Sequence, residues 1–191
     1  MIFFFLIDIK KIKISIFFMN KKRYKLIIFD ADDTLRFCTV PGQPCPNRPG
    51  EWKLHNNVKE KLADINWGSP QEGKTAYGIA SNQGGVGVGY YSAEMAFQLL
   101  KDTFTAAFGF EPIDEVIQMC IPKPEENPAC RKPNPGMLNK IMKYWQIEPL
   151  ETLFVGDRKS DQETAENAGC DFTWAKDYFI FSNEQNEQKI E

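Results

Sequence analysis

Leu26-Ile27-Ile28-Phe29-Asp30-Ala31-Asp32-Asp33-Thr34-Leu35 sets an apolar run of strand length directly ahead of three carboxylates. The run has no polar alternation, so it predicts a strand buried on both faces, as in a parallel sheet covered by helices. Carboxylates at the end of such a strand would be costly to bury alone. Either they form a solvated turn, or a bound cation compensates them and they carry chemistry, one as nucleophile and one as proton carrier.

The rest of the chain continues this rhythm. Candidate strands at 24–29, 75–80, 115–119, 152–155 and 171–174 alternate with segments of helical period. Val58, Leu62 and Ile65 mark one helical face, Met95, Leu99 and Thr103 lie on a helix begun by Ser92, and Leu138, Ile141, Met142 and Trp145 mark a third. A fourth opens on Ser160-Asp161-Gln162-Glu163, which has the pattern of a capping box, and closes at Gly169. This alternation predicts an α/β fold, a Rossmann-like three-layer sandwich around a central parallel sheet. Two long loops interrupt it, Arg36 to Trp52 and Cys120 to Pro135, the second with five prolines. Loops of that length in a compact domain are usually functional.

With 191 residues, 42% of them hydrophobic and 26% charged, the chain is sized for one domain, expected over residues 24–181 with a polar tail at 182–191. A net charge of −3 argues against extended nucleic acid as a partner. A monomer is the default. Met1 to Phe18 opens on an apolar run, but Asp8, Lys10, Lys11 and Lys13 interrupt it well short of the roughly 20 residues of a membrane span. Residues 1–23 are therefore expected to be an extension outside the fold, with membrane attachment the lesser alternative. Cys38, Cys45, Cys120, Cys130 and Cys170 are odd in number and irregular in spacing, which does not fit a secreted disulfide framework and favours a reducing cytoplasm. His55 is the single histidine, is expected to be structural, and rules out a histidine-rich metal site.

In an open parallel sheet ligands bind beyond the carboxyl ends of the strands, and the unusual residues fall there. The first strand ends in Asp30 and Asp32, the second in Ser81-Asn82-Gln83, the fourth in Gly156-Asp157 with Asp161 one turn on. The proline-rich loop delivers Arg131 and Lys132. Taken together, Asp30-Ala31-Asp32-Asp33-Thr34, Ser81, Lys132 and Asp157 with Asp161 resemble, in order, the four motifs of the haloacid dehalogenase-like phosphatases. The resemblance covers Tyr24 to Trp174. Ser81-Asn82-Gln83-Gly84-Gly85-Val86 and Cys130-Arg131-Lys132-Pro133-Asn134-Pro135-Gly136 are similar to the branch holding heptose-bisphosphate, histidinol-phosphate and polynucleotide 3'-phosphatases. That branch implies no large cap domain.

The residues suit this chemistry on their own terms. A phosphomonoester is nearly dianionic, so a carboxylate attacking it needs a cation and hydrogen-bond donors. Asp30 is expected to attack, and Asp32 to protonate the leaving oxygen and then activate water. Hard oxygen ligands from Asp30, Asp157 and the carbonyl of Asp32 suit Mg²⁺. Ser81, Asn82 and Lys132 would hold the phosphate oxygens; Arg131 is either a further ligand or a solvated neighbour. Asp161 is expected to orient Lys132 or a water of the cation's shell, with Thr34 in support. Arg36, Arg48 and Trp52 are candidate specificity residues on the first long loop.

The resembled branch often carries a structural zinc loop of four ligands, and Cys120 and Cys130 fall at its first and last places, with Pro122 and Pro128 at the two middle ones. Two thiolates do not close a tetrahedral site, so structural zinc is not expected, although Cys38 and Cys45 could complete one. Gly84-Gly85-Val86-Gly87-Val88-Gly89 matches neither dinucleotide nor phosphate-loop spacing and is expected to be a tight loop at the site's border. The expected function is hydrolysis of a small phosphorylated metabolite, a heptose bisphosphate or similar sugar phosphate first. A 3'-phosphorylated DNA end, histidinol phosphate and a non-catalytic phosphate-binding module follow in that order.

Overall fold

A computed structural model of the chain describes residues 24–126 and 128–180. The expectations for the N-terminal extension and the polar tail fall outside them. The elements are β1 (Leu26–Phe29), β2 (Arg36–Cys38), β3 (Trp52–Leu54), α1 (Val58–Ala63), β4 (Ala76–Asn82), α2 (Gly84–Val88), α3 (Ala93–Phe108), β5 (Ile117–Cys120), α4 (Gly136–Trp145), β6 (Thr152–Gly156), α5 (Lys159–Ala168), β7 (Asp171–Trp174) and α6 (Ala175–Phe179). No helix among the described residues is long and apolar enough to cross a membrane.

β1 has all four residues buried because it is the middle strand of a five-stranded parallel sheet ordered β5-β4-β1-β6-β7. The chain winds outward on one side through β4 and β5, then crosses back to β6 and β7. The crevice at the carboxyl end of β1 is thus the topological switch point where such sheets bind ligands.

Helices cover both faces. On β4, Tyr77 packs against Phe104 and Phe108 of α3, while its neighbour Gly78 faces α4, where an added Cβ would lie 2.7 Å from Ile141 Cγ2. Ser92 starts α3 by accepting a hydrogen bond from the Met95 amide at 3.2 Å, and Gly109 ends it with φ of 81°. Its inner face, Leu99, Leu100, Thr103, Phe104 and Phe108, is buried. Phe104 and Phe108 stack at 3.9 Å in an aromatic cluster that also holds Phe110.

The first long loop is folded back as an antiparallel hairpin of β2 and β3, pairing Arg36 with Leu54 and Cys38 with Trp52. It is the longest excursion from the sandwich among the described residues, in keeping with the absence of a large cap domain. Three-residue strands carry too little period-two pattern to be seen in sequence.

Phe104→Ala should open a cavity in the best-packed part of this core and cost about 3–5 kcal/mol, read as a lower urea midpoint at unchanged m-value. A cost below about 1 kcal/mol would contradict the packing described.

Candidate active site

Asp30 continues the β1 ladder, its amide donating to Val155 O at 2.9 Å, which carries its carboxylate to the sheet edge with 5% of the residue exposed. Lys132 Nζ, equally buried, lies 2.6 Å from Asp30 Oδ1 and 2.6 Å from Asp161 Oδ1. Asp161 sits in the first turn of α5, where its Oδ2 accepts the Arg158 amide at 2.9 Å. The helix therefore starts two residues earlier than the spacing predicted: Arg158 is the N-cap, and Asp161 rather than Glu163 closes the box. Gly156 permits this, since a Cβ there would lie 2.5 Å from Asp161 Cβ.

Asp157 follows Gly156 and accepts from Thr34 Oγ1 at 3.3 Å. Arg158 lies 3.6 Å from Asp157 Oδ2 and 3.8 Å from Asp33 Oδ2. Carboxylate oxygens of Asp30, Asp157 and Asp161 lie within 4.8 Å of one another. Burial first, then the carboxylates of Asp161, Asp157 and Asp32, push Asp30 well above the ordinary 3.8 against the pull of Lys132. Asp157 is raised by burial and by Asp161. For Lys132, burial would lower the ammonium, but Asp30 and Asp161 hold it above its usual range. Hard oxygen donors crowded around a single buried cation fit a site for a divalent ion such as Mg²⁺.

Asp32 has different partners. Its Oδ1 accepts from Arg36 Nε at 2.8 Å and its Oδ2 from Gln83 Nε2 at 3.0 Å. Arg36 is fully buried and also donates through Nη1 to Leu99 O and Thr103 Oγ1, both at 2.8 Å, so it cannot be the substrate contact expected of it. Trp52 packs under the guanidinium, its ring centre 5.9 Å from Arg36 Cζ, while Arg48 is exposed on the loop. The Glu51 carboxylate ties that loop together, accepting from Gln43 Nε2 at 2.9 Å and from the amides of Asn47 and Arg48 at 2.9 and 3.1 Å.

Ser81 is buried at the end of β4 and accepts from Gln83 Nε2 at 2.8 Å. Asn82 uses its side-chain amide both ways on the Lys132 backbone, accepting from Lys132 N at 3.1 Å and donating to Lys132 O at 3.2 Å. It fixes the lysine rather than offering that amide to phosphate. Arg131, half-buried, donates to Pro122 O at 3.2 Å and packs over Gly84. The same loop is closed by a Cys120–Cys130 disulfide, against the expectation of reduced thiols and a loop stiffened by prolines alone; Cys38, Cys45 and Cys170 are free. Those spacings imply no pairing, because β5 and the loop return bring the two sulfurs together only in three dimensions.

Three contributors were missed. Gln83 and Tyr91, linked by a 2.9 Å hydrogen bond, and Arg158 all touch the acidic residues or their partners. A glutamine directly after an apolar strand end was a legible signal; Tyr91 was not.

The model of the polynucleotide kinase 3 phosphatase family matches residues 25–183. The chain belongs to this family of haloacid dehalogenase-like phosphatases. It is 34% identical over 99 residues to a D-glycero-alpha-D-manno-heptose-1,7-bisphosphate 7-phosphatase of Photorhabdus laumondii, covering 48% of this chain and 54% of the relative. A histidine biosynthesis bifunctional protein of Legionella pneumophila is 31% identical over 150 residues, 78% of this chain and 40% of that one. The chain spans about half the length of the first curated relatives it matches. The fold is similar to the crystal structure of D,D-heptose 1.7-bisphosphate phosphatase from Bordetella bronchiseptica with magnesium and phosphate, with a TM-score of 0.62, 26% identity and 78% of each chain covered.

Because Asp157 is raised, its contribution to stability is present below about its unfolded value of 3.8 and is lost as pH rises through the folded value. Without metal, wild type should therefore lose stability relative to Asp157→Asn as pH rises above about 4, and millimolar Mg²⁺ should raise the wild-type melting temperature much more than the variant's. Equal Mg²⁺ responses would contradict a cation site there.

Proposed function

We propose that the protein is a Mg²⁺-dependent phosphomonoesterase working through an aspartyl phosphate on Asp30. The observation that carries this reading is the buried Lys132 bridging Asp30 and Asp161 beside Asp157, at the switch point of the sheet. An Asp30 oxygen attacks phosphorus in line as the bond to the leaving oxygen breaks, and Asp32 passes its proton to that oxygen. Water then attacks the aspartyl phosphate, its proton goes to Asp32, and inorganic phosphate leaves with Asp30 regenerated. Lys132 and Ser81 stabilise the phosphoryl oxygens. Asp30 and Asp157, with the Asp32 carbonyl as a further ligand, would hold Mg²⁺, which would supply the charge compensation that lets two anions meet.

The substrate we favour is a small sugar phosphate of the heptose-bisphosphate kind. Similarity to heptose-bisphosphate phosphatases and the acidic pI near 5.4 support it. A 3'-phosphorylated DNA end is the second reading, supported by the family match, but the net charge of −3 offers no broad basic surface for nucleic acid.

A phosphate-release screen against heptose bisphosphate, histidinol phosphate and 3'-phosphorylated oligonucleotides is the test of substrate. Preference for the oligonucleotide would reverse the ranking and leave the chemistry standing. Asp30→Asn should lower turnover by about 10³-fold or more; a variant retaining wild-type activity would refute the phosphoaspartate.

A further inference from the structure

Gln83 is 1% exposed and lies between two residues to which different tasks have been assigned. Its Nε2 donates to Asp32 Oδ2 at 3.0 Å and to Ser81 Oγ at 2.8 Å, which uses both of its protons. Its Oε1 accepts from the Tyr91 hydroxyl at 2.9 Å. Burial and the neighbouring Cys45 hold the Tyr91 phenol far above its ordinary range, so it remains a donor at any working pH. A donor on the Oε1 side leaves the amide one orientation. With the group flipped, the phenol would face an NH₂, and Asp32 would face a carbonyl oxygen.

We infer that Gln83, locked by Tyr91, is a positioning residue for the proton carrier Asp32, holding its carboxyl group in the orientation that delivers a proton to the leaving oxygen. This deepens the phosphomonoesterase reading and rests on it. Arg36 Nε grips Oδ1 from the opposite side at 2.8 Å, so the carboxyl group is clamped at both oxygens. Arg36 is built into the core, whereas Gln83 reaches Asp32 from the end of β4 beside Ser81. The orientation of the acid is thereby fixed to the same strand end that holds the phosphoryl oxygens, and the donor and the group it serves cannot drift independently. Buried amides are retained in such places because leaving a partner unsatisfied is costly.

A residue that acts through the general acid should matter most when the leaving group needs a proton. Phenyl phosphate releases a weakly acidic phenol, with a pKa near 10 like that of tyrosine, while dinitrophenyl phosphate releases a stable anion. The measured quantity is kcat/KM, which covers steps only through formation of the aspartyl phosphate and so excludes the later water attack. Gln83→Met keeps the length of the side chain and removes its donors and acceptor. It should lower kcat/KM for phenyl phosphate roughly 10-fold more than for dinitrophenyl phosphate, and Tyr91→Phe should shift the ratio in the same direction by less.

Equal losses on both esters would overturn the proposal, because a purely structural or phosphate-holding role does not distinguish leaving groups. Thermal melts accompany each variant; if Gln83→Met does not fold, Tyr91→Phe, which removes one hydroxyl, decides the question by the same ratio. Wild-type protein that releases phosphate from neither ester nor from any compound in the substrate screen would overturn the phosphomonoesterase reading itself, a result distinct from a flat ratio in an active enzyme.

Discussion

The ammonium of Lys132, held at 2.6 Å from both Asp30 and Asp161, is the interaction around which the site is arranged. Taking three charged groups out of water costs several kcal/mol for each ion, and only close geometry with further hydrogen bonds offsets it. The chain supplies that geometry from four separate places. β1 carries Asp30, the first turn of α5 carries Asp161, and Gly156 allows the helix to approach the sheet. The lysine itself comes from a loop whose position is held by the Asn82 amide, the Arg131 contact to Pro122 O and the Cys120–Cys130 bond. Those three restraints all anchor the loop near the carboxyl ends of β4 and β5, so the sheet sets where the positive charge stands.

A single strand end serves two different environments. Asp30 remains on the ladder, while the amides of Leu35 and Arg36 fold back onto Ala31 O at 2.9 and 3.1 Å. Asp33 takes up the reversal with φ of 61°. The turn brings Asp32 to Arg36 and Gln83. Asp33 in turn meets Arg158, the residue that also neighbours Asp157. The turn that closes on Ala31 O therefore gives Asp30 and Asp32 their own sets of charged or hydrogen-bonding neighbours.

Five parallel strands and the helices between them could be read from apolar runs and helical period because each element buries a pattern longer than its own irregularities. The principal acids and Lys132 were legible for a related reason: charged residues at the ends of apolar strands are conspicuous. What escaped was direction. Arg36 follows the acidic turn by a single residue and has the composition of a substrate contact, yet the turn drives it into the core against Leu99 and Thr103. Asn82 and Arg131 have the right chemistry for phosphate, but their side chains are turned to the backbone of the lysine loop. The capping box moved by two residues because Asp161 bonds the Arg158 amide, a choice set by the tight contact at Gly156. Neither the β2–β3 hairpin nor the Cys120–Cys130 pairing leaves a local pattern; both arise from chain return over distances that composition does not encode.

This redistribution bears on selectivity. With Arg36 fixed on Asp32, Asn82 on Lys132 and Arg131 on Pro122, these three side chains are engaged within the protein. Candidate groups for distinguishing one substrate from another line the cavity of Asp33, Asp157, Trp174 and Lys176 and the outer part of the first loop. There Val40 to Asn47 faces Gly85 and Tyr90 across a cavity of about 410 Å³, with Arg48 exposed next to it. The Glu51 carboxylate organises that segment through backbone amides, leaving its side chains free of helix or sheet constraints. Loops carried on a rigid scaffold in this way can change their side chains without disturbing the chemistry beneath them. The acids and the lysine are placed by the sheet, whereas the outer part of the first loop is a surface that the sheet does not determine.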